Sequence, residues 1–184
     1  MIRSIAIAAG LGLLLACSPQ SAAEGTPAAA ASEMVLHPES GLEVIPLTVT
    51  NGKKVHKFQV EVADTPRDQA KGLMFRTKMG ANEGMLFPRD GYAQASFWMK
   101  DTPLSLDIIF LGTDGRISNI AANTVPYSLE SVTSDGIASA VLELNAGRAA
   151  ELGIREGDRV SWGGCAVPAE RRATELNFCP APAR

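Results

Sequence analysis

Histidine, cysteine and aromatic residues are scarce in this 184-residue chain, which has 2 His, 3 Cys and 5% aromatic residues. Neither histidine lies in a context that activates a nucleophile, and the motifs G-x-S-x-G and H-E-x-x-H do not occur. No run of Lys or Arg occurs, and the formal net charge is -3, so the sequence carries no basic footprint for nucleic acid. We therefore predict no catalytic residue, no metal or other cofactor, and no nucleic-acid partner.

Long apolar runs are also missing, except near the N-terminus. Arg3 precedes an apolar stretch of about a dozen residues, 5–16. This stretch is too short for a membrane-spanning helix, which needs roughly 20 residues, but has the length of the apolar region of a signal peptide. The stretch ends in LLAC at Cys17, which resembles the bacterial lipobox. We expect residues 1–16 to be a signal peptide and Cys17 to be lipidated, giving a membrane anchor. Ordinary signal cleavage after Ala23 is the alternative.

The residues that follow Cys17 read as a tether. Residues 17–33 are rich in Ala, Ser and Pro and cannot bury enough apolar surface to offset their ordering entropy, so we predict disorder. A lipid on Cys17 would place the protein in the cell envelope, facing the periplasm. Ser18 is not the Asp that retains known lipoproteins in the inner membrane, so an outer membrane is favoured where one exists. Without lipidation the protein would be secreted to the periplasm.

The two remaining cysteines, Cys165 and Cys179, lie in the C-terminal tail, residues 165–184. An oxidising compartment favours their pairing. Their spacing and the lack of a nearby histidine disfavour a redox or zinc site. We predict a structural disulfide that contributes roughly 3 kcal/mol by restricting the unfolded chain.

Residues 34–164 read as one all-β domain. Short apolar or alternating segments between turn signals predict strands at 41–50, 55–62, 85–87, 95–99, 104–111, 116–122, 137–144 and 159–162. Two short helices are expected: one is capped by Thr65 and ends near Phe75, and the other spans 146–152. We predict a jelly-roll-like β-sandwich or a distorted barrel and exclude a doubly wound parallel sheet.

Asp107 interrupts an otherwise apolar strand. A buried carboxylate without a partner would cost several kcal/mol. We expect Asp107 to be more than half buried and to bind Arg76 or the backbone N–H groups of the turn at residues 100–102. The alternative is a ligand-facing carboxylate in a cleft, where perturbed pKa values gather.

Trp98 and four methionines allow two interpretations each. An indole near a strand end is either a packing anchor or a surface that grips sugars and cations. The methionines are either core residues or soft ligands for Cu(I), and we favour core packing because no M-x-x-M spacing occurs. They are Met74, Met79, Met85 and Met99.

Five motifs, in order, carry a family resemblance. GLMFR at residues 72–76, GMLF at 84–87, FWMKDT at 97–102, LDIIF at 106–110 and VLEL at 141–144 resemble the domain of unknown function 192 family. The resemblance runs from about residue 54 to 161. It implies a small jelly-roll-like β-sandwich, often secreted or attached to a membrane, whose activity is not established. Asp101 stands where that family commonly carries Asn.

The polar family positions, grouped with the neighbouring Trp98 and Met99, are the candidate binding residues: Arg76, Trp98, Met99, Lys100, Asp101, Thr102 and Asp107. We predict a domain that binds an envelope glycan, small molecule or protein and does no covalent chemistry, with Trp98 and Arg76 at the contact. The alternative is a hydrolase-like enzyme in which Asp107 or Asp101 acts as general base beside Lys100.

Overall fold

The computed structural model describes residues 34–89 and 93–162. The chain divides into two units between Ser32 and Glu33, and all of the described residues belong to the second. The predicted signal peptide, Cys17, the tether, and the tail with Cys165 and Cys179 lie outside the described residues. In the part of the chain that is described, no helix has the length and hydrophobicity to cross a membrane.

The described residues form strands and two short helices, and the all-β prediction is confirmed. The strands are β1 (Val44–Asn51), β2 (Lys54–Val62), β3 (Glu83–Pro88), β4 (Gln94–Phe97), β5 (Leu106–Leu111), β6 (Ile117–Ala121), β7 (Val132–Ile137), β8 (Ala140–Asn145) and β9 (Arg159–Trp162). The helices are α1 (Pro66–Lys71) and α2 (Arg148–Leu152).

Seven strands form one curled sheet in the order β6-β5-β8-β3-β2-β1-β9. Strands β2 and β3 pair in parallel, and the other neighbouring pairs are antiparallel. The two edge strands meet at one end, because Ile117 N donates to Asp158 O at 2.9 Å and Val160 N donates to Gly115 O at 2.9 Å. The architecture is therefore a distorted half-barrel, accompanied by a second, two-stranded sheet of β4 and β7.

Strand β5 is buried on both faces because two apolar clusters cover it. Ile109 and Leu111 belong to the inner cluster, to which strands across the whole curled sheet contribute. Leu106, Ile108 and Phe110 belong to the outer cluster, which is completed by residues of β4 and of the segment after α1. Full burial of each such side chain contributes on the order of 2 kcal/mol. The outer cluster borders the candidate site.

Helix α1 begins as the sequence predicts and ends earlier. The Thr65 hydroxyl accepts a hydrogen bond from Asp68 N at 3.2 Å, as the capping pattern predicted. The helix ends at Lys71 because Gly72 has a φ of 47°, and Phe75 also has a positive φ of 64°. The predicted end near Phe75 is therefore wrong by about one helical turn.

The strand predicted at 137–144 corresponds to β8, and a strand that was not predicted, β7, ends at Ile137, separated from β8 by Ala138 and Ser139. Ser139 N donates to Leu111 O at 2.8 Å, and the Ser139 hydroxyl donates to Gly112 O at 2.7 Å. These bonds hold the chain where it leaves the small sheet and enters the large one. The sequence of β7, VTSDGI, is largely exposed and polar, so the apolar pattern did not reveal it.

Candidate functional site

A cleft of about 330 Å³ lies on the outer face of the curled sheet, beside α1. Its lining comes from α1 and the turn after it, from the end of β3, from β4 and the following turn, and from Glu143 of β8. The volume lies in the range of small-molecule sites, and the lining combines apolar and aromatic side chains with a few polar groups.

Glu143 is the buried acid of this cleft. Its register partners are Met85 on β3 and Ile108 on β5, both in the outer apolar cluster. The residue is only 5% exposed, and its Oε2 is buried without a hydrogen-bond partner among the described residues. Burial raises the pKa of the Glu143 carboxyl to about 8. The carboxyl therefore keeps its proton at neutral pH and can act as a hydrogen-bond donor.

Arg89 brings a second unmatched polar atom to the cleft. The residue follows β3, and its backbone N–H donates to Ser139 O at 2.9 Å. Its Nε is buried and has no hydrogen-bond partner among the residues described. Native proteins satisfy almost all buried polar groups with protein, water or ligand. Two such atoms in one cleft, on Glu143 and Arg89, therefore indicate a place for a polar ligand group.

Trp98 forms an exposed aromatic surface at the cleft and is 48% exposed, so the packing-anchor interpretation is wrong. The neighbouring Phe97 is held by edge-on contacts, with ring-centroid distances of 5.0 Å to Phe87 and 6.2 Å to Phe110. Lys100 Nζ lies 5.4 Å from the centroid of the Trp98 ring, within the range of a cation–π contact. Phe97 thus fixes the strand end from which the indole is presented.

Backbone hydrogen bonds hold the turn after Trp98 in place. Asp101 has a positive φ of 54°, and its carbonyl accepts from Phe75 N at 2.7 Å. The Thr102 carbonyl accepts from Tyr127 N at 3.1 Å, and the Thr102 hydroxyl donates to Lys100 O at 3.1 Å. The turn is therefore connected to two neighbouring loops, which favours a preformed site.

Met99 anchors the same turn in the core. It is 3% exposed, and its Sδ accepts from the Thr124 hydroxyl at 3.2 Å. Met85 is fully buried, and Met79 packs against the outer cluster. These three methionines therefore fill the core, which was the favoured interpretation. In the described part of the chain, no cluster of three or more His, Cys, Asp or Glu could hold a metal ion.

Asp107 is fully buried, as predicted, but its predicted partners are wrong. Oδ1 accepts from Asn123 N at 2.9 Å and from Gly147 N at 3.0 Å. Oδ2 accepts from Ala149 N at 2.9 Å, in the first turn of α2. The carboxylate thus joins β5 to α2 and to the loop after β6. Asp107 is 0% exposed and faces the inner side of the sheet, away from the cleft.

Arg76 is held in a buried ion pair with Glu61, not with Asp107. Its Nη1 lies 2.5 Å from Glu61 Oε1, and its Nη2 lies 3.0 Å from Glu61 Oε2. Hydrogen bonding to Glu61 raises the pKa of Arg76 further above its usual value. The Ser40 hydroxyl donates to the same carboxylate, and Glu39 lies 3.6 Å from Arg76 Nε. The geometry is that of a structural bidentate pair.

More than half of the chain matches a known family. The sequence profile of DUF192, described as uncharacterized ACR, matches residues 47–162. The chain belongs to the domain of unknown function 192 family.

A crystal structure of a protein of unknown function from Novosphingobium aromaticivorans DSM 12444 is 51% identical, with a TM-score of 0.69 over 75% of this chain and 99% of the other. A protein of Sinorhizobium meliloti 1021 described as a candidate transcription regulator is 36% identical, with a TM-score of 0.63 over 66% of this chain and 95% of the other. A comparison with curated proteins found no match.

The seven residues singled out from the family motifs do not form one site. Among the described residues that line the cleft, Trp98 and Thr102 are the two that the sequence proposed. Met99, Lys100 and Asp101 belong to the turn that presents Trp98. Arg76 lines two other hollows, near Glu39, and Asp107 supports α2 from the inner side of the sheet.

Sequence reasoning missed Glu143 and Arg89. Glu143 lies inside the family motif at residues 141–144, between two leucines. The pattern that could have revealed Glu143 is the same one that marked Asp107: a carboxyl within a strand that is apolar on both faces. Arg89 follows the strand end at Pro88 and has no distinguishing pattern around it. A long-range packing arrangement, which one sequence does not reveal, brings both to the cleft.

Proposed function

We propose that this domain is a non-covalent binding module whose ligand is a small molecule held between Trp98 and Glu143. The observation that carries the proposal is a buried acid with an unpartnered oxygen in a cleft of about 330 Å³. Burying such a group without a partner costs about 1–3 kcal/mol, so it is a poor choice for stability alone. A ligand that completes its hydrogen bonding would recover that free energy.

The hydrolase alternative receives less support. A general base needs an oxygen within reach of substrate, and both Asp107 oxygens accept backbone hydrogen bonds in a fully buried position. Among the described lining residues, Glu143 is the one carboxyl in the cleft, so it faces no second acid there. A single protonated acid beside an aromatic ring suits ligand binding better than hydrolysis by paired carboxylates.

The charge of this chain gives no support to a regulator role like the one in the description of the Sinorhizobium meliloti protein. A net charge of -3 without Lys or Arg runs gives little attraction to a phosphate backbone. An envelope-facing binding module fits the N-terminal sequence better. We include in the proposal that Cys17 carries lipid and that the domain faces the periplasm from the outer membrane, where one is present.

Lipidation should make Cys17 the point of attachment to the membrane. Cells that express the full chain with radiolabelled palmitate should label the wild-type protein, and the Cys17→Ala variant should lose that label because the thiol is the acceptor. When the cells are fractionated, the wild type should be found with the membranes and the Cys17→Ala variant in the soluble fraction. Equal labelling of both proteins would contradict the anchor, and so would a wild type without label.

Ligand binding should be measurable as thermal stabilisation of residues 33–184. This unit contains both core clusters, and the 51% identical relative was crystallised as a chain that covers 75% of this one, so the unit is expected to fold alone. A ligand at a hundred times its Kd stabilises a protein by about 2.7 kcal/mol, which raises Tm by about 8 °C. The probes are benzoate, benzamide, benzylamine and N-acetylglucosamine.

Trp98→Ala should abolish the rise in Tm that the effective probe causes, because the indole supplies an exposed wall of the cleft. Val55→Ala is the matched control: Val55 is 55% exposed on β2 and outside the cleft lining. If both variants respond like the wild type, the ligand binds elsewhere and the proposal is wrong.

A further inference from the structure

We infer that the ligand of this cleft is a small organic carboxylate with a flat apolar body, whose carboxylate bridges Arg89 and the buried carboxyl of Glu143. This inference rests on the proposed function and adds to it the chemical class of the ligand and a dependence of binding on pH. Three features of the cleft carry it: the charges of its lining, its two unpartnered polar atoms, and its aromatic wall.

The charges of the lining favour an anion. The described residues that line the cleft include two permanent cations, Lys71 at the end of α1 and Arg89 after β3. A third cation, Lys100, lies over the Trp98 ring. Glu143 is the acid among the described lining residues, and its proton removes its charge at neutral pH. A cationic ligand would meet like charges, whereas an anion finds complementary ones.

The two unpartnered groups can both donate a hydrogen bond to a carboxylate. Arg89 Nε is a donor, and the protonated Glu143 carboxyl is a second donor. Hydrogen bonds from a guanidinium or a carboxylic acid to an ionised carboxylate are short and strong. Binding would therefore satisfy both buried atoms at once. An amide ligand offers one acceptor oxygen, and an ammonium offers none.

The burial of Glu143 raises the pKa of its carboxyl, so the carboxyl keeps its proton at neutral pH. Its register partners on β3 and β5 are the apolar residues Met85 and Ile108. The titratable or charged groups that line the same cleft are Lys71 and Arg89. Desolvation by burial is the cause of the raised pKa of about 8.

The aromatic wall sets the shape of the rest of the ligand. Trp98 is exposed along the cleft, and Phe97 and Phe87, which pack edge-on against each other, also line it. Flat apolar groups stack on such rings and bury area against them. A benzoate-sized molecule suits a cleft of about 330 Å³, which lies near the lower limit of ligand pockets.

Titration calorimetry of residues 33–184 with benzoate, benzamide and benzylamine tests the class. Near pH 6, benzoate should bind at least about tenfold more tightly than the other two, which share its ring and differ in charge. Arg89→Gln should weaken benzoate binding by about tenfold or more because it removes the cationic donor. Arg67→Gln is the matched control: it removes a charge from α1 outside the cleft lining and should leave the affinity unchanged.

The pH dependence separates the role of Glu143 from general charge effects. With a pKa of about 8, the carboxyl keeps its proton in roughly one molecule in eleven at pH 9, so wild-type affinity for benzoate should fall about tenfold between pH 6 and 9. Glu143→Gln keeps a donor at that position and has no proton to lose. This variant should bind benzoate near pH 6 and should lack the fall at pH 9.

Two outcomes would overturn the inference, and they differ in whether the proposed binding function also fails. If benzamide, benzylamine or N-acetylglucosamine is preferred, and Trp98→Ala abolishes that binding, the carboxylate class is wrong and the proposed binding function remains. If none of the probes binds at millimolar concentration, the inference and the proposed function are both wrong. Circular dichroism of each variant shows whether a loss of binding reflects a loss of folding.

Discussion

Glu143→Gln should stabilise the protein relative to the wild type as the pH rises from about 4.5 to 7, with a gain of about 3 kcal/mol. In the unfolded chain this carboxyl releases its proton near its usual pKa of 4.5, whereas burial raises the pKa in the folded protein to about 8. Between these values the unfolded chain binds fewer protons than the folded protein. The wild type therefore loses stability as the pH rises, until the loss levels off near pH 8.

Urea unfolding of both proteins at pH values near 4.5, 6 and 7 measures this difference. The difference in unfolding free energy between variant and wild type isolates Glu143, since the other titrating groups are common to both. The amide of the variant adds a cost that does not depend on pH. Parallel stability curves over the whole range would show that Glu143 titrates normally and is accessible to water.

Asp107→Ala should destabilise the protein by about 3 kcal/mol or more. The carboxylate is fully buried and accepts three backbone hydrogen bonds, from Asn123, Gly147 and Ala149. The N-terminus of α2 has no side-chain cap of its own, because Gly147 stands at the capping position. Removing the carboxylate would leave one buried and two part-buried N–H donors without an acceptor. A buried donor without an acceptor costs about 1–3 kcal/mol.

Equilibrium unfolding in urea of wild type, Asp107→Ala and Asp107→Asn tests this expectation. Asn retains one carbonyl oxygen, so its cost should be intermediate. Glu130→Ala is a control at an exposed acid and should change stability by less than about 0.5 kcal/mol. A cost that small for Asp107→Ala would mean that the three bonds contribute nothing net to folding.

Local patterns predicted most of the strands. The alternation in β2, the Thr65 cap of α1 and the apolar sequence of β5 each depend on neighbours in sequence, so the chain itself reveals them. Strand β7 was missed because it forms a small, exposed sheet with β4 and needs no apolar alternation. Pairing across long separations, as between β1 and β9, gave no local signal.

The candidate site shows the same contrast: local sequence patterns predicted burial, and long-range contacts were not predicted. Burial of Asp107 followed from the apolar strand around it, but its partners, which lie 16 to 42 positions away in sequence, did not. Arg76 was expected to bind Asp107 because its planar fork suits a carboxylate, yet it pairs with Glu61 on β2. Glu143 was missed because the sequence showed a carboxyl in a strand and not the cleft in front of it. The family motifs indicated the right strands without assigning roles to their residues.

The ionisation of Glu143 in residues 33–184, with and without benzoate, is the most direct test that a protonated acid forms part of a binding cleft. Selective carbon-13 labelling of glutamate carboxyls reports it by nuclear magnetic resonance, and Glu143→Gln identifies the signal. We predict a titration midpoint near 8 in the free protein, which benzoate displaces upward because it binds the protonated form. A midpoint near 4.5 that does not respond to benzoate would contradict this prediction.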